Sequence, residues 1–265
     1  MKRTLTFTTF GLLGALSTSQ GAFTLLEDFE GYTTGAISGQ SSNWSHDTSA
    51  GQADGTVGSS AGNQYLIQGG ANNNHTKFDN TTILIADGAI GTYFFRAYMT
   101  GDSHVGAAMS PLTAATAGNA WGDAKPIVRI GNRVGSGANT QLYAYNDNTY
   151  TPLASDTVSG AWYNIWVLVD NTDGNRDYDV HIQSDDDGNY ATQTQVGPSG
   201  LGFRGDVADG DLQSLFFRTA INSNEVYFDD LYIDSTTHNL VNPVPEPTTA
   251  LLGSLSLLTL LRRKR

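Results

Sequence analysis

The chain is built from short runs in which aromatic and β-branched residues alternate with polar ones. Clear runs lie at residues 93–99, 162–169 and 226–233, and stretches rich in Gly, Asn, Asp and Ser separate them. Successive side chains of a β-strand point to opposite faces, so this period of two predicts strands. Between the two ends of the chain, no window of a dozen residues keeps the 3.6-residue period of a helix. The sequence therefore predicts an all-β protein.

The run between residues 23 and 240 is predicted to form one domain. It contains no cysteine, so the hydrophobic core must hold it together, and its length is sufficient for one core. Many short strands in one domain predict a two-sheet antiparallel β-sandwich of the jelly-roll kind. The residues expected on the inner faces are Phe94, Tyr98, Ile130, Trp162, Ile165, Val167, Val169, Val180, Leu215, Phe217, Phe228 and Leu231.

Both ends of the chain have the pattern of export signals. Residues 1–22 begin with Lys2 and Arg3, continue with a mildly apolar stretch and end in small residues, which is typical of a secretory signal peptide. At the other end, a linker at residues 241–247 contains Pro245-Glu246-Pro247. An uncharged segment at residues 248–261 follows, and the chain closes with four cations. The order predicts a membrane-anchoring helix stopped by Arg262, Arg263, Lys264 and Arg265.

This tail resembles the PEP-CTERM sorting signal of Gram-negative bacteria that make extracellular polysaccharide. The resemblance implies that an exosortase and the secretion machinery are partners of the chain. It also implies export through the inner membrane, transient anchoring by the C-terminal helix, and then a place at the cell surface or in the extracellular matrix. The segment at residues 248–261 is short for a bilayer, which suits a temporary anchor. The alternative is an ordinary tail-anchored protein with a weak span.

Charge excludes one class of partner. Without the two signals, eight of the fourteen Lys and Arg residues remain against all 26 acidic residues, a net charge of about −18. Such a surface repels a phosphate backbone, so we expect no nucleic-acid partner.

The first and last strands carry a predicted metal site. Residues 26–32 resemble the opening strand of concanavalin A-like and carbohydrate-binding-module sandwiches, residues 225–234 resemble their closing strand, and residues 162–182 are similar to the central hairpin of laminin-G-like domains. These sandwiches pair their first and last strands, which implies that Asp28 or Glu30 lies near Asp229 or Asp230. A structural Ca²⁺ would relieve the repulsion between these carboxylates. The alternative is that some of them only decorate an edge strand or face solvent.

Function is open between two main classes, and a purely structural spacer is a third possibility. The domain has three Glu residues before the sorting motif, all in the terminal strands, and no pair of carboxylates is placed for glycoside hydrolysis. We therefore expect no enzyme but a surface or matrix protein that binds carbohydrate or exopolysaccharide. The alternative is a secreted polysaccharide-degrading enzyme, a glycoside hydrolase or lyase. Sugar binding would use exposed aromatic rings, for which the candidates are Trp44, Trp121, Tyr143 and Tyr145, with Tyr150 beside them.

Overall fold

The computed structural model describes residues 22–46, 54–69, 75–78, 82–101, 103–113, 122, 124–131, 141–185, 189–205, 208–219 and 224–244. The sorting motif, the predicted anchor helix, the basic terminus, residues 1–21 of the predicted signal peptide and Trp121 lie outside these residues. Within them, no helix is long and apolar enough to cross a membrane.

Sixteen strands account for the regular structure of these residues. They are β1 (Thr24–Glu27), β2 (Gly35–Ala36), β3 (Trp44–His46), β4 (Thr56–Ser60), β5 (Asn63–Gln68), β6 (His75–Phe78), β7 (Ile90–Met99), β8 (His104–Ser110), β9 (Ile127–Gly131), β10 (Leu142–Asn146), β11 (Thr149–Ala154), β12 (Trp162–Asp170), β13 (Asp177–Ser184), β14 (Thr194–Gly202), β15 (Ser214–Thr219) and β16 (Val226–Asp234).

The strands form two antiparallel sheets packed as a sandwich, which confirms the predicted all-β fold. The nine-stranded sheet has the order β14-β13-β12-β7-β16-β5-β4-β2, with β1 paired to β16. The seven-stranded sheet has the order β11-β10-β9-β8-β15-β6-β3. The pairing of β1 with β16 places the first and last strands side by side, as the sequence predicts.

The core between the sheets is aromatic and aliphatic. Trp44 is 2% exposed and contacts the rings of Phe29, Phe78 and Phe217. Tyr178 of the nine-stranded sheet donates a hydrogen bond to the carbonyl oxygen of Ile127, at 3.0 Å, and so connects the two sheets. Burial of these large side chains supplies the main stabilisation of a domain without disulfides.

Nine of the twelve predicted inner-face residues lie in this core. The prediction is wrong for Phe94, Tyr98 and Trp162, which lie on the outer face of the nine-stranded sheet. In β7 the residues that face the core are Tyr93, Phe95, Ala97 and Met99. The run is apolar on both faces, so its alternation does not show which face is buried, and a shift of one residue exchanges the two sets.

Candidate functional site

The outer face of the seven-stranded sheet has a floor of small residues along β8. Val105, Ala107 and Met109 of this strand belong to the inter-sheet core. The residues between them therefore point to the opposite face, and Gly106 and Ala108 are two of these. Both are buried, and Ala108 packs in a second apolar cluster with Ala124, Ile127, Tyr145 and Phe216 on this face.

Two arginines flank Gly106. Gly106 is the register partner of Arg129 in β9 on one side and of Arg218 in β15 on the other. Arg129 is 3% exposed, whereas Arg218 is partly exposed. Adjacent strands lie about 4.8 Å apart, so the two arginine backbones are roughly 10 Å apart with only a glycine between them.

Two tyrosines and a third arginine complete the wall on the β10–β11 side. Tyr145 and Tyr150 are register partners, and Tyr145 donates a hydrogen bond to the hydroxyl of Tyr150. Arg129 also donates a hydrogen bond to that hydroxyl, and its guanidinium carbon lies 5.1 Å from the centroid of the Tyr150 ring. The guanidinium carbon of Arg204 lies 4.7 Å from the centroid of the Tyr145 ring. We call Arg129, Arg204, Arg218, Tyr145 and Tyr150, grouped around Gly106, the arginine trough.

The β10–β11 turn holds Arg204 in place. The amide of Asp147 donates to the carbonyl of Gly202 at 2.9 Å, and the amide of Gly202 donates to Asn146 Oδ1 at 2.8 Å. A Cβ atom at Gly202 would lie 2.4 Å from Asp147 Oδ1, so a larger residue here would displace the Asp147 side chain. The segment after β14 is thereby fixed against the tip of the β10–β11 hairpin, two residues before Arg204.

Burial and like charge act together in the arginine trough. Burial lowers the pKa of Arg218 and the neighbouring Arg129 lowers it further, while Tyr150 and Tyr145 oppose this shift and Arg204 makes the smallest contribution to lowering it. Burial and the hydrogen bond to Tyr150 raise the pKa of Tyr145 to about 12. Tyr145 therefore stays protonated near neutral pH and acts as a hydrogen-bond donor. Arg204, Arg218 and Tyr150 are the partly exposed members of the cluster, whereas Arg129 and Tyr145 are buried.

The aromatic residues predicted to bind sugar lie in different places. Tyr145 contributes to the arginine trough, and Tyr143 is the register partner of Arg129 beside it. Trp44 is a correction, because its 2% exposure and its ring contacts place it in the inter-sheet core, where no sugar can stack on it. Its indole nitrogen donates to Glu27 Oε2 at 3.1 Å, which satisfies its polar atom inside the fold. Trp121 lies outside the described residues.

One of the predicted calcium ligands, Asp230, pairs with an arginine. Arg96 of β7 donates to Asp230 Oδ2 at 3.1 Å and also pairs with Asp185. Glu30 Oε1 accepts from the amide of Gln64 at 2.9 Å. Among the described residues, no group of three or more His, Asp or Glu side chains is arranged to hold a metal ion. The calcium site stays a prediction, and Arg96 already supplies positive charge there.

Asp229, which lies where β16 pairs with β7, has a strongly raised pKa. It is 2% exposed, and burial, followed by the charge of Asp230, raises its pKa to about 7. Asn63 Nδ2 and the amide of Asp230 each donate to its carboxyl group at 2.8 Å. The register of β16 against β7 shifts here, and Asp230 has a φ of 52°. A β-bulge therefore places two consecutive acids in the sheet.

An aromatic ladder that was not predicted from the sequence lies on the outer face of the nine-stranded sheet. Tyr227 lies between Tyr65 and Tyr98, at ring-centroid distances of 4.7 and 5.4 Å and interplanar angles of 19° and 10°. Trp162 follows Tyr98 at 5.4 Å, and Arg96 lies over the Trp162 ring at 4.9 Å. The rings cover one another's faces, so they offer edges and hydroxyls instead of a flat stacking surface. Predicting this ladder requires knowing which residues of neighbouring strands lie opposite each other.

No protein-family model and no curated protein matches this chain. Among solved structures, it is similar to the globular domain of T. cruzi calreticulin, with a TM-score of 0.47 and 11% identity over 78% of this chain and 88% of that chain. It is also similar to peanut lectin, with a TM-score of 0.46 and 11% identity over 72% and 90%. The exoplasmic/lumenal domain of VIP36, in a form bound to Ca²⁺ and Man2, gives 0.43 and 8% over 80% and 87%. No family assignment follows from similarity at this level.

Proposed function

We propose that this chain is an exported, non-catalytic protein that binds polysaccharide through the arginine trough. The observation that carries the proposal is the grouping of three arginines with two hydrogen-bonded tyrosine hydroxyls on the outer face of the seven-stranded sheet. Sugar sites in proteins combine rings with a few fixed polar groups, and the trough offers both. Tyr143 lies beside it and is partly exposed.

Matched tyrosine variants test this proposal. Tyr150→Phe removes one hydroxyl from the arginine trough, and Tyr98→Phe removes one from the aromatic ladder on the opposite sheet. We expect Tyr150→Phe to weaken binding of the host's extracellular polysaccharide by about three- to tenfold and Tyr98→Phe to leave it unchanged. Calorimetric titration of the exported protein measures both. Equal losses in the two variants, or a loss only in Tyr98→Phe, would contradict the assignment.

The export part of the proposal rests on the two terminal signals. Val244 is the last described residue, and it packs with the outer cluster of Phe94, Trp166 and Leu168. Trp166 Nε1 donates to the carbonyl of Val241 at 3.1 Å. The Pro245-Glu246-Pro247 motif thus begins one residue after a segment held against the folded domain. We expect exported protein to start near Ala22 or Phe23 and to lack Arg262 to Arg265. Intact-mass measurement tests this expectation. Retention of the four C-terminal cations in all extracellular material would contradict exosortase processing.

One structural calcium ion is kept as a testable part of this proposal. Asp28 is close enough to Asp230 to raise the pKa of Asp230, although burial is the larger cause. A bound cation would add to the charge of Arg96 and stabilise the native state by mass action. Chelation should then lower the melting temperature, and Asp230→Ala should remove that sensitivity. A melting curve that chelation leaves unchanged removes calcium from the account.

A polysaccharide lyase is the second candidate, because Arg129 donates a hydrogen bond to Tyr150 on a face to which β8 also contributes His104. In a β-elimination, a base takes the proton next to a uronate carboxylate, the bond to the leaving oxygen breaks, and an acid protonates that oxygen. The raised pKa of Tyr145 disfavours it as the base. Release of unsaturated uronic products by the exported protein would establish this second function in place of binding alone.

A further inference from the structure

The segment that follows β16 is bound to the outer face of the nine-stranded sheet. We call residues 235–244 the C-terminal strap. Thr92 Oγ1 of β7 donates a hydrogen bond to the carbonyl of Thr237 at 3.0 Å and accepts one from the amide of Asn239 at 2.7 Å. Trp166 of β12 holds the strap farther along, through its indole nitrogen. The strap is thus fixed to two neighbouring strands of the sheet.

The strap ends over the interior of this face. Val244 packs with Phe94 and Trp166, which are both 0% exposed. Trp166 is the fifth of the nine residues of β12, and β12 and β7 lie inside the sheet with strands on both sides. At roughly 3.3 Å per residue, Trp166 is about 13 Å from either end of its strand. The last described residue is therefore far from the rim of the sheet.

The chain that follows Val244 has little reach. Only Pro245-Glu246-Pro247 separates Val244 from the predicted anchor at residues 248–261. Four residue steps of at most about 3.6 Å span roughly 14 Å in any conformation. The anchor adds no spare length, because its fourteen residues as a helix span about 21 Å, less than the roughly 30 Å core of a bilayer. Val244 must then lie within about 14 Å of the membrane while the chain is anchored.

This reach decides which face of the sandwich is turned toward the membrane. Packed sheets lie about 10 Å apart, and the side chains on the two outer faces bring the thickness to roughly 20 Å. If the seven-stranded sheet faced the membrane, Val244 would be at least about 20 Å away, beyond the reach of the linker. If the nine-stranded sheet faces the membrane, the linker is long enough without being fully extended.

Exposed apolar side chains lie near the same point. Among the described residues, five large apolar side chains are exposed, and Leu240 and Val241 of the strap are two of them, at 38% and 47%. Leu25 of β1 is a third, and it is the register partner of Tyr232, whose ring contacts Phe94. Register partners point to the same face of a sheet, so Leu25 lies on this face too. Insertion of such side chains into a membrane interface is favourable.

We infer that the outer face of the nine-stranded sheet, around the C-terminal strap, lies on the membrane surface while the chain is anchored. This inference rests on the export part of the proposed function and specifies the side of the domain that contacts lipid. The lipid surface it fits is a zwitterionic one, since the excess of acidic over basic residues repels anionic headgroups. The arginine trough, on the other sheet, then faces away from the membrane.

Single-cysteine labelling of the full chain tests the inference, because the sequence contains no cysteine. The chain, with its terminal cations retained, is placed in phosphatidylcholine nanodiscs whose nitroxide-labelled headgroups quench a nearby fluorophore. Val241→Cys and Leu25→Cys put the fluorophore on the inferred contact face, at exposed side chains whose replacement leaves the core intact. Thr149→Cys in β11 and Ser45→Cys in β3 are the controls, at the two edges of the seven-stranded sheet.

Quenching should differ between the two pairs of labels. We expect the labels at Val241 and Leu25 to lose more than about half of their fluorescence and the controls, roughly 20 Å farther from the lipid, to keep most of theirs. Equal quenching of all four labels in the inserted chain would overturn the inference and leave the anchor in place. Stronger quenching of a label introduced by Asp173→Cys, in the turn after β12, would overturn it too, because the sandwich would then stand on its end. If the full chain does not copurify with the nanodiscs, the anchor and the inference fail together.

Discussion

The two outer faces of the sandwich use arginine in opposite ways. On the nine-stranded sheet, Arg96 lies between Asp185 and Asp230, and these acids raise its pKa although burial alone would lower it. On the seven-stranded sheet, Arg218 lies near Arg129 and Arg204, and its pKa is lowered by burial and by these neighbours. Arg96 therefore compensates the negative charges of two acids, whereas Arg218 lies near other positive charges.

This difference separates a structural cluster from a candidate binding site. The Arg96 cluster satisfies acids that a β-bulge places in the sheet, and the aromatic ladder beside it covers its own ring faces. The terminal segment packs farther along the same sheet, around Phe94 and Trp166. The arginine trough groups arginines with tyrosine hydroxyls on the other sheet, where we propose that polysaccharide binds. Stability and binding should therefore respond to mutation on different faces.

The largest expected effect is the pH dependence contributed by Asp229. Burial raises its pKa to about 7 from the 3.8 of an exposed Asp, so the native state binds more protons than the unfolded state between these values. Its contribution is most stabilising below the lower value and is lost as pH rises through about 7, by an amount on the order of 3–4 kcal/mol. Asp229→Asn should therefore unfold at higher denaturant concentration than wild type at about pH 8, and this difference should shrink as the pH falls toward about 4.

Asp170 provides the control of opposite sign. Its pKa is lowered, because hydrogen bonds from Thr172 and Asn175 outweigh the effect of burial. Asp170→Asn should then reduce stability at neutral pH and have less effect in acid, where the wild-type carboxyl group is protonated. If the stabilities of the two variants relative to wild type changed with pH in the same direction, the raised pKa assigned to Asp229 would be contradicted.

The next effect separates the two clusters directly. Arg96→Met removes the cation between Asp185 and Asp230, whose side chains are 28% and 17% exposed. We expect a loss of about 2–3 kcal/mol in the free energy of unfolding, less than for fully buried pairs because water screens part of the charge. Arg176→Met is the control, since its partners Asp87 and Asp173 are 51% and 96% exposed, and it should cost less than about 1 kcal/mol. Equal losses measured by urea unfolding would remove the special role of Arg96.

The smallest effect on stability is expected in the arginine trough. Arg218→Met removes a charge that the folded state disfavours and keeps a flexible side chain of similar reach. The free energy of unfolding should change by less than about 1 kcal/mol, while binding of the polysaccharide weakens. A loss above about 2 kcal/mol in urea unfolding would show that Arg218 is a structural residue like Arg96, and the comparison between the two faces would fail.

The fold followed from local features of the sequence. Apolar and polar residues alternate in residues 162–169 and 226–233, and this pattern correctly predicted β12 and β16. Such alternation can be seen within each strand without knowing its neighbours. The pairing of β1 with β16 followed from the resemblance of the terminal strands to known sandwiches. Phe94 and Tyr98 were placed on the wrong face because β7 is apolar on both sides.

The candidate site depends on register, which the sequence does not contain. Arg129, Arg204 and Arg218 are separated by up to 89 residues, and each looks like an ordinary surface cation in its own run. Only the pairing of Gly106 with both β9 and β15 shows that Arg129 and Arg218 lie on either side of this glycine. Tyr145 was selected from the sequence as an aromatic residue, without a signal for the guanidinium over its ring.

A crystal structure of the protein with a bound oligosaccharide from the host's extracellular polysaccharide tests the central claim most directly. The account predicts that the oligosaccharide lies on the outer face of the seven-stranded sheet, in contact with Arg218 and with a sugar hydroxyl within hydrogen-bond distance of Tyr150. An oligosaccharide bound instead along the aromatic ladder of Tyr65, Tyr227 and Tyr98, with no contact to the arginine trough, would contradict the claim.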